Sequence, residues 1–185
     1  FGAAGCRSGF TRALAAADGG TLKPRAPKAA LDGIYAAKGD DPAAIIRAAM
    51  EEAGGISQLV KKGNTVIIKP NIGFDRRPEF AATTNPILIA TLVGMCLKAG
   101  AANVTVFDRP CDDEKRCYKH SGIAEAAEAA GAKVEFVRDD MFIDTKIPGS
   151  KALKKWPVHK GVMEADVFIM CRSSNITDRP ASPSA

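Results

Sequence analysis

The chain has 185 residues, 46% hydrophobic and 25% charged, which fits one globular domain and excludes disordered and collagen-like chains. Its longest apolar stretch, Ile87 to Leu97, is 11 residues, where a membrane span needs about 20. The net charge is +5, but residues 1–38 carry +4 of it; the rest is nearly neutral, aromatics are only 6%, and no basic or aromatic platform for nucleic acid is expected.

Residues 1–17 (FGAAGCRSGFTRALAAA) are small, apolar and free of acids. They read as the rear of a secretory signal, with Ala15-Ala16-Ala17 as a cleavage-type site and Cys6 in a lipobox-like setting that would carry a lipid anchor. The expectation is an exported bacterial protein, periplasmic or lipid-anchored; the alternative is a cytoplasmic protein with a plain N-terminal tail. Residues 18–32 hold two Gly and two Pro and read as a linker. The expected organisation is therefore a signal-like segment and linker over 1–32, an α/β domain over 33–171 and a disordered tail over 172–185.

Residues 33–38 (GIYAAK) are a short apolar run, expected as the first strand. Asp41-Pro42 then opens a helix: the Asp caps a free N–H and the Pro has none to waste. Ile45, Ile46, Ala49, Met50 and Ala53 recur at helical spacing, and Gly54-Gly55 ends the helix. Residues 65–69 (TVIIK) are β-branched and nearly continuous in apolar character, as in a strand covered on both faces. Pro70 ends it, a loop runs over 71–84, and Asn85-Pro86 repeats the cap-then-proline signal before a mostly buried helix closed by Gly100.

Two similar pieces follow, 98–108 and 129–139. Each runs from a helix end through Gly-Ala into an alternating strand and an Asp, and their glycines, Gly100 and Gly131, lie 31 residues apart, one βαβ repeat. Ser121 is expected to cap a helix over 122–130. A short edge strand is expected over 143–147, a helix end at 162–165, and a buried strand over 166–171. The cluster Lys151, Lys154 and Lys155 beside Trp156 reads as solvated strand or loop. Alternating strands and helices predict an α/β fold with a mainly parallel open sheet and helices on both faces, in Rossmann-like layering.

In such sheets ligands bind beyond the carboxyl ends of the strands. That rule selects Lys69, Asn71, Asn85 and Asp108 as candidate ligand-binding residues: Lys69 to pair with an anion, Asn71 and Asn85 to orient it, Asp108 as acid/base or metal ligand. Other strand-end candidates are Asp139, Asp140 and Cys171. No phosphate-loop or dinucleotide motif is present, and neither histidine sits in a nucleophile-elbow context. Cys111, Cys117 and His120 form a C-x5-C-x2-H pattern. Read as metal ligands they fall short of the usual four; a Cys111–Cys117 disulfide is an alternative, and free thiols are favoured.

Residues 62–71 (KGNTVIIKPN) resemble the KKGD-V-IKPN signature of the domain of unknown function 362 (DUF362) family. The Thr84-Asn85-Pro86 step, the Ala99-Gly100-Ala101 turn before 104–108, residues 118–123 (YKHSGI) and Ala165-Asp166-Val167 follow in that family's order. The resemblance spans about 33–170 and implies an α/β domain. Some members carry an appended iron–sulfur segment; the C-x2-C-x2-C-x3-C run it requires is not in this chain, so no cofactor is expected here. Family chains usually continue past the last strand, whereas residues 172–185 are low-complexity, which implies a C-terminally truncated chain. The function expected is the N-terminal α/β part of an enzyme binding a small anionic metabolite. The alternatives are a non-catalytic redox or metal-binding accessory module and an inactive truncated product. No oligomeric state follows from the sequence.

Overall fold

The computed structural model describes residues 14–17, 21–24 and 33–172. Two short strands, β1 (Leu14–Ala17) and β2 (Thr21–Pro24), pair antiparallel within the segment read as leader and linker. The surroundings of Cys6 and the tail beyond Arg172 lie outside the described residues.

The centre of the molecule is a four-stranded sheet. Its strands are β3 (Thr65–Lys69), β4 (Asn103–Val106), β5 (Lys133–Val134) and β8 (Val167–Met170). They lie in the order β5-β4-β3-β8, and every neighbouring pair is parallel. Alternate residues of β3 serve opposite faces. Val66 and Ile68 join Val104 and Val106 in the main core, while Ile67 belongs to a smaller cluster with Phe107 and Ala165. This explains the continuous apolar run in residues 66–68.

Helix α1 (Pro42–Glu52) begins where expected: Asp41 Oδ1 accepts from Ala43 N–H at 2.8 Å. Helix α2 (Pro86–Lys98) is capped in the same way, Asn85 Oδ1 accepting from Ile87 N–H at 2.9 Å. Its Ile89, Leu92, Val93 and Cys96 are buried against the Val66/Ile68 face. Helices α3 (Glu114–His120) and α4 (Ile123–Ala129) connect β4 to β5. Ser121 Oγ accepts from Ile123 N–H at the start of α4. The paired Gly-Ala turns repeat closely: Gly100 and Gly131 have φ of +96° and +95°, and Ala101 and Ala132 N–H bond to Cys96 and Ala127 carbonyls. A side chain would be strained at either glycine.

Three expectations are corrected. Residues 33–38 form no strand, and Ile34 is 97% exposed; β5 and β8 already end the parallel sheet, and a short Ala-rich run has little β-propensity of its own. The alternating stretch after Gly131 pairs only over Lys133–Val134 before leaving the sheet. The strand expected at 143–147 is β6 (Phe142–Lys146), and it is not on the parallel sheet. It pairs antiparallel with β7 (Lys155–His159), a strand the sequence pattern does not announce, in a second sheet ordered β1-β2-β6-β7. The lysines 151, 154 and 155 are exposed as expected. Helix α5 (Lys160–Glu164), which precedes β8, places Val162 in the smaller cluster and buries Met163. No helix among the described residues is long and apolar enough to cross a membrane.

Candidate functional site at the carboxyl edge of the parallel sheet

Strands β3 and β4 are neighbours, so their tips meet. Lys69 Nζ lies 2.5 Å from Asp108 Oδ1, and the other carboxylate oxygen accepts from Ile72 N–H at 2.7 Å. The Asp108 side chain is nearly buried, whereas that of Lys69 is 35% exposed. The carboxylate is thus used up beneath the surface. The ammonium has three donors, and it reaches the cleft described below.

Tyr118, from α3, braces this corner. Its hydroxyl accepts from Asp108 N–H at 2.8 Å and lies 2.8 Å from the Asp108 carbonyl and 3.0 Å from that of Glu135. Burial pushes its ionisation well above the ordinary phenol range, so it remains a neutral donor.

Asn71 and Asn85 have local employment. Asn71 Oδ1 accepts from Gly73 N–H at 3.0 Å and Nδ2 donates to the Ala82 carbonyl at 3.2 Å. A Cβ on Gly73 would stand 2.9 Å from Asn71 Oδ1, so this turn needs glycine. Backbone bonds between Asn71 and Thr84, together with Thr84 Oγ1 donating to the Cys171 carbonyl, tie both ends of the 71–84 loop to the end of β8. Asn71 therefore shapes the loop and Asn85 caps α2. Lys69 and Asp108 are the two candidates that meet.

Beside Lys69 opens a cleft of about 530 Å³. Lys69, Arg109 and Asp139 bring charge to it; Phe107, Phe142, Trp156 and His159 bring aromatic surface, with Val137, Pro157 and Val162 between them. Arg109 pairs with Asp139 at 3.0 Å and sits 5.6 Å from the centre of the Phe142 ring. Both members of that pair are exposed, so the pair is weak and Arg109 can turn to a ligand. His159 stacks on Phe107 at 4.3 Å and meets Phe142 edge-on at 5.5 Å. Burial lowers its pKa below the ordinary 6.5, the charge of Glu135 opposing only in part.

Sequence reasoning passed over Arg109, His159 and the aromatic wall. Arg109 was one position beyond a strand end that had been selected, and that adjacency was the available signal. His159 and Trp156 reach the cleft through the β6–β7 pairing, which leaves no local mark.

The C-x5-C-x2-H residues disperse. Cys111 is exposed and Cys117 buried, both as free thiols, and burial raises the Cys117 pKa. His120 Nδ1 engages Asp75, which also holds Arg116 at 2.6 Å. Among the described residues no group of three or more His, Cys, Asp and Glu side chains could hold a metal ion. Burial also pushes Cys96 up to about 12 and Cys171 up to about 11, which leaves those thiols poor nucleophiles.

No curated protein and no solved structure matches the chain. A family model does: the domain of unknown function DUF362 matches residues 66–173, from β3 through β8 with the Lys69–Asp108 corner and the cleft inside it. The chain belongs to the DUF362 family.

Proposed function

We propose that this chain binds a small anionic metabolite in the cleft beside Lys69, as part of an enzyme. The observation that carries the reading is the Lys69–Asp108 pair at the adjoining tips of two parallel strands, the position where open α/β sheets take ligands. Asp108, tied to Ile72 N–H, fixes the lysine ammonium at the cleft edge. Lys69 meets the anion, and Arg109 supplies a second cation. Asn71 acts at one remove, by holding the 71–84 loop beside the lysine.

The test is thermal unfolding of the full chain with acetate, benzoate and inorganic phosphate in turn. At about 100 times its Kd, a ligand that binds only the folded state adds about 2.7 kcal/mol, which moves the Tm of a chain this size by about 5 °C or more. Lys69→Ala should abolish the shift. A shift that persists in that variant places the anion elsewhere.

A further inference from the structure

Three properties of the cleft go beyond the lysine. The charges facing it are Lys69, Arg109 and Asp139, a net +1, which suits a monoanion better than a phosphate dianion. Its walls are mainly apolar, and Trp156 is 55% exposed on them. His159 is only 7% exposed, and neither ring nitrogen has a hydrogen-bond partner among the described residues.

An unmet buried polar group costs about 1–3 kcal/mol. The ring nevertheless has a ready way to meet a ligand. A half-turn about Cβ–Cγ exchanges Nδ1 with Cδ2 and Nε2 with Cε1 inside an unchanged outline. The ring edge rests on bare backbone, since a Cβ on Gly161 would stand 3.1 Å from His159 Cε1 and 3.2 Å from Nδ1. Because burial holds this imidazole neutral, it offers one donor and one acceptor nitrogen. A hydroxyl, itself both donor and acceptor, is the complementary group.

Resting on the anion reading above, we infer that the cleft takes a small ring-bearing carboxylate, its ring against Trp156 and Phe142 and a hydroxyl on that ring meeting His159. His159 is then a specificity residue, and the aromatic wall selects the ring.

The experiment is equilibrium binding of acetate, benzoate and 3- and 4-hydroxybenzoate to the full chain and its variants. Benzoate should half-saturate at a concentration about tenfold below acetate, from ring contacts of the usual size. One hydroxybenzoate should gain about a further fivefold from a single hydrogen bond. Trp156→Ala should weaken benzoate and leave acetate unchanged. His159→Phe, which keeps the stacked ring, should erase the hydroxyl gain and leave benzoate unchanged; if it does not fold, His159→Gln makes the same test. Acetate binding as well as benzoate, with both lost in Lys69→Ala, overturns the ring class but leaves the anion site standing. A hydroxyl gain that survives at position 159 overturns the role of His159. No carboxylate binding to the parent chain overturns this inference and the anion reading together.

Discussion

The two faces of the parallel sheet are built to different ends. On one, Val66, Ile68, Val104 and Val106 pack against Ile89, Leu92, Val93 and Cys96 of α2, all of them nearly or wholly buried. On the other, the buried cluster is only Ile67, Phe107 and Ala165, covered in part by α5, which is five residues long. A sealed face supplies stability through close packing. A thinly covered face leaves room, and the β6–β7 ribbon lines that room with aromatic side chains. Stability and recognition should therefore separate by face when residues are changed.

The largest expected effect is on the sealed face. Ile68→Ala should cost about 2–5 kcal/mol in urea unfolding, whereas Trp156→Ala should stay within about 0.5 kcal/mol. Comparable losses would erase the distinction between the faces.

The corner between them comes next. Tyr118→Phe removes the partner of the buried Asp108 N–H and should cost about 1–2 kcal/mol. The variant should also weaken anion binding at Lys69, because the Asp108 that holds the lysine loses its brace. A full loss of stability with unchanged binding would show that the corner does not need the brace.

The thin face should have a pH signature. The folded-state pKa of His159 lies below 6.5, so between that depressed value and 6.5 the unfolded chain binds more protons and stability rises with pH. The contribution is complete above 6.5 and is lost as pH falls below it toward the folded value. His159→Phe should flatten that part of the curve. A slope unchanged in the variant assigns it to another group.

The smallest effect lies outside both faces. Asp75 ties the 71–84 loop to α3 through Arg116 and His120. The hydrogen bond from His120 is the first cause that lowers its pKa below 3.8, with Arg116 assisting against some desolvation. Its stabilising contribution is present above 3.8 and is lost as pH falls through the depressed value. Asp75→Asn should remove that acid-side component while leaving Ile68→Ala equally costly. Protection of the loop amides from hydrogen exchange, measured on either side of that window, reads it directly.

Much of the fold was open to inspection in the residues because it depends on near neighbours. Asp41-Pro42 and Asn85-Pro86 start helices since a carboxylate or amide oxygen reaches a free N–H two residues on. Gly100 and Gly131 end them since only glycine enters that conformation without strain. The run at 66–68 shows a two-faced strand by composition. Of the site, the meeting of Lys69 with Asp108 follows from adjacent parallel strand tips. Asn71 and Asn85 were read as ligand groups, and a one-dimensional pattern does not show that Gly73, Ala82 and Ile87 occupy their polar atoms.

The amino-acid order alone determined the α/β alternation, the capped helices, the family and the strand end where chemistry would gather. These are set by contacts within a few positions, or by periodicities of 2 and 3.6 that any segment carries in itself. The folded arrangement alone decided that residues 155–159 form a strand, that 33–38 do not, and that His159, Trp156 and Arg109 share a cleft with Lys69. A strand exists only where a partner accepts its backbone hydrogen bonds, and that partner lies far away along the chain.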